Sequence, residues 1–227
     1  MITFLLAEAE LELMPPELQR APGVVARAKK RRRPAEQLLL DQALDHKAMK
    51  DLPDGDRRGR PDIAHFWLML VLDSLATKHG QARALIHTRH DELIRPRADL
   101  RIMRNQVKFV ILMEDLLRQG QVPQSNPLLT LERGRDLASV LKEEARGTRI
   151  LMDVGGELGR AARFTELARS APDITIVTGG FPRGSFRQAK REDFEHVIRV
   201  ADEELTVWSA LAPVLAGVED AVLDHAK

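Results

Sequence analysis

Residues 51–63 read Asp-Leu-Pro-Asp-Gly-Asp-Arg-Arg-Gly-Arg-Pro-Asp-Ile and lead directly into an amphipathic helix. A packed core has no use for such a segment. A rigid, charged loop displayed at a helix start can instead hold a phosphate or position a base. Pro61 suits the first helical position and biases Arg60 toward extended backbone. Asp62 lies two residues beyond Arg60, so its carboxylate falls on the same side as the guanidinium and can fix its orientation. Arg60 therefore reads as a functional group. Arg57 and Arg58 read as scaffold. A second set, Arg101, Arg104 and Lys108, is spaced by three and four. That spacing lines three cations along one face of a helix and its entry turn, which makes a phosphate track. A solvated surface is the plain alternative for such a stripe, and the neighbouring basic loops tip the reading toward function.

Two glycine loops compete as a ligand cradle. Leu151–Arg160 contains Gly155 and Gly156, follows an apolar run, precedes a helical one, and superficially matches the nucleotide loop of Rossmann-type methyltransferases. Too few strand–helix units follow it to complete that fold. Thr178–Ser185 also follows an apolar run. Gly179 and Gly180 permit close backbone approach to a ligand, and Pro182 stiffens the loop. His87 and His90 stand three apart, but no cysteine or carboxylate pattern completes a metal site, so no metal is expected. Nucleophile-elbow, P-loop and His-Glu-x-x-His motifs are absent from the sequence.

The elements that must position these groups alternate in type. Strands are predicted at Ile2–Leu6, Leu38–Leu40, Ala82–His87, Leu128–Leu131, Thr148–Val154, Ile174–Thr178 and His196–Val200. Helices are predicted at Ala43–Lys50, from Asp62 as N-cap through Leu75, at Arg104–Arg118 with Gly120 as its stop, at Gly134–Ala145, near Ala161–Arg169, and at Thr206–Leu223. Ile63, Phe66, Trp67, Leu70, Val71 and Leu75 form the apolar face of the first long helix, and Val107, Val110, Met113 and Leu117 that of the next. A turn is expected at Gly155-Gly156. This alternation argues for an α/β fold with a mainly parallel sheet covered by helices. Pro15–Glu36 and Pro123–Pro127 read as excursions from the core.

Composition bounds the function classes. The chain has 227 residues, 44% of them hydrophobic, and no cysteine. Disulfides, thiolate catalysis and cysteine zinc sites are excluded, which fits a reducing cytoplasm. No run of eighteen apolar residues suggests a membrane span, and Met1–Leu6 lacks a cleavage-site pattern, so it is not expected to be a signal peptide. The net charge is only +1. Basic residues nevertheless cluster in the first half, including the run Arg27–Arg33, and such asymmetry favours a polyanion partner. Tyrosine is absent and phenylalanine scarce, so recognition would lean on arginine contacts and RNA shape rather than stacking.

These pieces meet in one family. Leu-Leu-Asp at 39–41, His46-Lys47-Ala48-Met49, the Arg-Arg-Gly-Arg-Pro-Asp-Ile motif at 57–63, Ile86-His87-Thr88-Arg89, and the stretch from Arg104 through Leu112-Met113-Glu114 closely resemble the small-subunit rRNA pseudouridine N1-methyltransferases of the SPOUT (α/β-knot) superfamily. The resemblance covers nearly the whole chain. It implies an S-adenosylmethionine-dependent enzyme of ribosome biogenesis, a homodimer, and a single domain over 1–227. In that domain 15–36 is a basic excursion and 148–223 a deeply knotted trefoil that binds the cofactor. By the same resemblance, Arg60, Arg101 and Arg104 contact RNA, Asp62 steadies Arg60, and Lys108 stands where the family commonly has arginine. Gly179 and Gly184 match the cofactor loop, and Val200, Ala201, Asp202, Glu203, Glu204 and Leu205 occupy a second one. No general base is identifiable, although Asp62 is a candidate. Gly155-Gly156 becomes a turn near the cofactor. A non-catalytic rRNA-binding assembly factor is the alternative from another class.

Overall fold

In the computed structural model, which describes residues 1–224, an eight-stranded sheet runs in the order β4-β5-β3-β2-β1-β7-β6-β8. Strands β1 (Ile2–Ala9), β2 (Ala82–Thr88), β7 (Ile174–Gly179), β6 (Thr148–Leu158) and β8 (His196–Arg199) are parallel. β3 (Glu92–Pro96), β4 (Gln121–Val122) and β5 (Leu129–Arg133) add an antiparallel edge. Within the parallel part β1 lies between β2 and β7, and all eight of its residues are buried. That burial follows from cover on both faces. Phe4 and Leu6 pack with helices α3 (Pro61–Asp73), α5 (Gln106–Gln119), α7 (Ala161–Ser170) and α8 (Val207–Asp224), through residues such as Trp67, Phe109, Phe164 and Val218. The alternate residues Leu5 and Ala7 pack on the opposite side with Leu137, Val140 and Leu141 of α6 (Leu137–Glu144). Period-2 alternation thus divides one strand between two cores.

Local chemistry accounts for the helices that carry candidate residues. Pro61 is the first residue of α3, with Arg60 at the cap position (φ −117°, ψ 63°), which is not the extended backbone expected before the proline. Asp62 is therefore a first-turn residue and not the N-cap. For α5, the Asn105 side chain accepts from Lys108 N at 3.1 Å, and the helix stops at Gly120, whose φ of 81° suits glycine. Helix α6 starts later than the periodicity suggests, because Asp136 caps it through Ser139 N.

Several other expectations are corrected. Leu38–Leu40 is not a strand; only an isolated bridge joins Leu39 to Leu13, and the leucines divide, Leu39 entering the main core and Leu40 a small separate one with Met14, Val24 and Met49. The single helix expected at Ala43–Lys50 is broken into α2 (Gln42–Asp45) and a 3-10 turn at Ala48–Asp51. The basic excursion contains a helix, α1 (Pro22–Arg31). Gly155-Gly156 does not end a strand: β6 continues to Leu158, but Met152 and Glu157 both face Ile198, so residues 153–156 bulge out of the ladder. Strands β3 and β4 were not anticipated, since short edge strands carry little alternation. Val107 does not join the buried face of α5, being 64% exposed, and Phe66, Leu70 and Leu75 stay partly exposed while Ile63, Trp67 and Val71 are buried.

Candidate functional site

The site is organised around the end of β1, where Glu8, Glu10 and Glu12 are all buried. Their carboxylates receive the arginines of the charged loop. Arg57 donates from Nε to Glu10 at 2.7 Å and from Nη2 to Glu8 at 2.9 Å. Arg58 grips Glu12 with two bonds of 2.7 and 2.6 Å. Arg89 adds a bond to Glu10 at 2.5 Å, and His90 lies 3.2 Å from Glu12. Burial pushes the Glu12 carboxyl up, but Arg58, His90 and Arg89 outweigh it and hold it at about 2. Arg57 and Arg58 are therefore structural, and a buried charge left without these partners would be costly.

Glu10 also joins two loops through its backbone. Its carbonyl accepts Arg60 N at 3.0 Å, and its N–H donates to Gly180 O at 3.1 Å. The loop carrying Arg60 and the glycine loop after β7 thus flank one residue.

Arg60 is paired as the spacing predicts. Nε and Nη2 donate to the two Asp62 oxygens at 2.9 and 2.7 Å, and these hydrogen bonds raise the Arg60 pKa further. The pair is only partly exposed. A planar guanidinium fixed on one edge keeps its other edge available for a phosphate or base. Behind the pair, burial pushes the carboxyls of Asp41 and Asp45 up.

Arg101, Arg104 and Lys108 are exposed, and among the described residues their side chains make no hydrogen bond or ion pair. They are held near α3 by His65, a buried residue that sequence reasoning did not single out. One ring nitrogen lies 2.6 Å from Met103 O and the other 2.5 Å from Gln106 Oε1, while the ring stacks on Phe109. A histidine on an apolar helix face gives no sequence signal for such a bridge.

The run Arg27–Arg33 divides. Arg27 pairs with Asp45, and Arg31 and Arg33 share the fully buried Glu114 of α5. Lys29, Lys30 and Arg32 remain exposed. His87 is buried, its Nδ1 facing the N–H of Glu8 at 3.3 Å, and burial pulls its pKa down. No cluster of potential metal ligands occurs among the described residues.

The loops after β7 and β8 meet the β6 bulge around a cleft of about 200 Å³. Gly179, Gly184, Val200, Ala201, Glu203, Glu204 and Leu205 line it. Asp202 does not; its carboxylate is taken by Arg199 at 3.0 Å. Met152, Asp153, Val154 and Phe181 also line the cleft; they lie in the two glycine loops that the sequence offered as competing cradles, which the fold brings together. The bulge that delivers Asp153 and Val154 exists only through its register against β8. Gly184 has a φ of 82°, and a Cβ at Gly179 would sit 2.8 Å from the Phe181 ring. Thr178 also lines the cleft, and its buried hydroxyl has no partner.

Comparison with known proteins follows the same pattern. A family model described as EMG1/NEP1 methyltransferase matches residues 4–219. The ribosomal RNA small subunit methyltransferase Nep1 of Methanothrix thermoacetophila is 38% identical over 224 residues, covering 99% of this chain and 98% of that protein. Nep1 of Thermococcus kodakarensis is 38% identical over 222 residues, 98% of this chain and 99% of that protein. Among solved structures, Archaeoglobus fulgidus Nep1 bound to S-adenosylhomocysteine superposes with a TM-score of 0.85 at 28% identity, covering 97% of this chain and 98% of that one.

Proposed function

The chain belongs to the EMG1/NEP1 methyltransferase family, and from that premise we propose that it methylates N1 of a pseudouridine in small-subunit rRNA during ribosome biogenesis. S-adenosylmethionine is the donor; when bound, it supplies an activated methyl group. The cleft suits an adenosyl thioether. Val154, Ile198 and Leu205 offer apolar walls, Glu203 and Glu204 offer carboxylates for ribose hydroxyls, and the orphaned Thr178 hydroxyl awaits a partner. These residues and Gly179 and Gly184 are assigned to the cofactor, Val200 and Ala201 by their backbone.

The chain's own residues supply the rest. Pseudouridine carries a ring N1–H that uridine lacks, and its loss makes N1 a nucleophile. Arg60, oriented by Asp62, binds beside the target nucleotide and stabilises negative charge developing on the base. Both Asp62 oxygens are occupied by Arg60, so Asp62 serves orientation. Arg101, Arg104 and Lys108 grip phosphates. Positioning of the base does much of the work. The observation that carries this reading is the junction at Glu10, which sets the Arg60 loop directly beside the loop that lines the cleft.

The same reading includes a homodimer, a trefoil knot within 148–223 and a cytoplasmic location. In support of the dimer, α3 exposes Phe66 and Leu70, and Trp208 of α8 packs on Phe66 with ring centres 5.0 Å apart. An apolar face of this kind suits a second copy. Light scattering that finds a monomer would remove the dimer. An experimental chain trace decides the knot. No helix among the described residues is long and apolar enough to cross a membrane.

Mass spectrometry of small-subunit rRNA from cells with and without the protein should show loss of one N1-methylpseudouridine. Arg60→Ala should lower RNA binding and methylation together and leave S-adenosylhomocysteine binding intact. Unchanged turnover on a pseudouridine-containing stem-loop would exclude the role of Arg60.

A further inference from the structure

The loop that carries Arg60 and the loop that lines the cleft are interlocked by side chains crossing in both directions. From the first loop, Arg57 Nη1 donates to Ser185 O at 2.8 Å, and its guanidinium carbon lies 3.8 Å from the centre of the Phe181 ring. Phe181 and Ser185 both line the cleft. From the second loop, Arg187 donates to Asp54 at 2.8 Å, and Arg183 faces Asp56 at 3.7 Å. Glu8 closes the arrangement: its carboxylate accepts Arg57 Nη2 at 2.9 Å and the N–H of Arg187 and Gln188 at 2.9 and 2.8 Å. The two halves differ in burial. Arg57 is 6% exposed, whereas the side chains of Asp54, Asp56, Arg183 and Arg187 are exposed and screened by solvent.

We propose that Arg57 is a positioning residue that couples cofactor binding to rRNA capture. The proposal rests on the methyltransferase reading above. A ligand that fixes Phe181 and Ser185 also fixes the guanidinium packed on them. Arg57 stands three residues from Arg60, in a loop pinned by Arg60 N to Glu10 O at 3.0 Å and by Gln42 N to Gly59 O at 2.8 Å. The segment between them has little freedom to move separately. Occupancy of the cleft therefore sets the Arg60 edge that meets RNA, and by linkage RNA must tighten cofactor binding by the same factor. Lysine cannot substitute. One ammonium cannot stack flat on Phe181 while meeting Glu8, Glu10 and Ser185 O together.

The test measures S-adenosylhomocysteine binding by calorimetry and binding of a pseudouridine-bearing rRNA stem-loop by fluorescence anisotropy, each with and without the other ligand. Saturating S-adenosylhomocysteine is expected to tighten RNA binding by about tenfold in the wild type. Arg57→Lys should bring that factor to within about twofold while each ligand still binds alone. Asp54→Asn with Asp56→Asn, a change confined to exposed side chains, should leave it within about twofold of the wild type. A merely structural Arg57 would weaken each ligand separately and leave their coupling unchanged. Absence of coupling in the wild type overturns the proposal, as does full coupling in Arg57→Lys. Should Arg57→Lys fail to fold, Phe181→Leu, which removes the ring beneath the guanidinium, should bring the factor to within about twofold, and full coupling there overturns the proposal. A wild type that methylates without coupling refutes this proposal alone. A wild type that binds no S-adenosylhomocysteine refutes the methyltransferase reading with it.

Discussion

The arginines beneath residues 52–60 and the cations at the start of α5 differ in what faces them. Arg57, Arg58 and Arg89 meet the buried carboxylates of Glu8, Glu10 and Glu12. Arg101, Arg104 and Lys108 meet solvent, with no hydrogen bond or ion pair among the described residues. The first group is electrically satisfied and fixes backbone. The second keeps its charge for an outside anion. Arg60 combines both situations, since Asp62 holds one edge of its guanidinium and the pair stays partly open. Residue type alone therefore does not mark a cation left open to an outside anion in this chain; the supply of local carboxylate does.

The largest expected effect falls on the satisfied group. Glu10→Ala strips Arg57 and Arg89 of a buried partner and should cost about 3–5 kcal/mol in urea denaturation. A loss below about 1 kcal/mol would mean that these arginines are no more engaged than surface ones. Acid probes the same network. The folded pKa of Glu12, about 2, lies below its ordinary 4.5. Its contribution is therefore present above pH 4.5 and is lost as pH falls toward 2. That loss amounts to roughly 3 kcal/mol. Glu12→Gln should flatten the stability–pH curve in that window.

The open group should respond in binding and not in stability. Arg104→Gln should leave denaturation within about 0.5 kcal/mol of wild type. It should weaken the stem-loop roughly tenfold and reduce the salt slope by about 0.7–0.9. A stability loss like that of Glu10→Ala would erase the distinction between the two regions. The smallest effect is expected for Lys108→Arg. Bidentate geometry should tighten RNA by about threefold at most, with no change in melting. An equal gain from Lys→Arg at an exposed lysine remote from α5, such as Lys142 on α6, would assign it to a non-specific guanidinium effect and not to position 108.

Much of the fold was legible locally. The apolar runs at Ile2–Leu6, Ala82–His87 and Ile174–Thr178 all lie in the central parallel strands, because strands covered on both faces read as continuous hydrophobic stretches. Leu38–Leu40 misled for the same reason: three adjacent leucines look like a strand, yet here Leu39 feeds the main core and Leu40 a small side core. Phe66 and Leu70 sit at helical spacing with Trp67 but wrap past the buried stripe of α3. At the site, the Arg60–Asp62 pair followed from the two-residue spacing, although it forms across a helix cap and first turn and not in extended backbone. His65 was not legible, since it acts through a contact 38 residues away, and although Asp153 and Val154 lie in a candidate glycine loop, their bulge depends on a register shift against β8.

The sequence by itself determined the alternation of elements, the family motif, and which residues carry charge. It did so because periodicity, capping and short spacings are local properties of the chain. Tertiary structure alone decided which charges are spent. Arg57 meets Glu10 across 47 residues and Ser185 across 128, so its neutralisation depends on strand order. The same long-range register joined the Arg60 loop to the loop lining the cleft, which local spacing cannot encode.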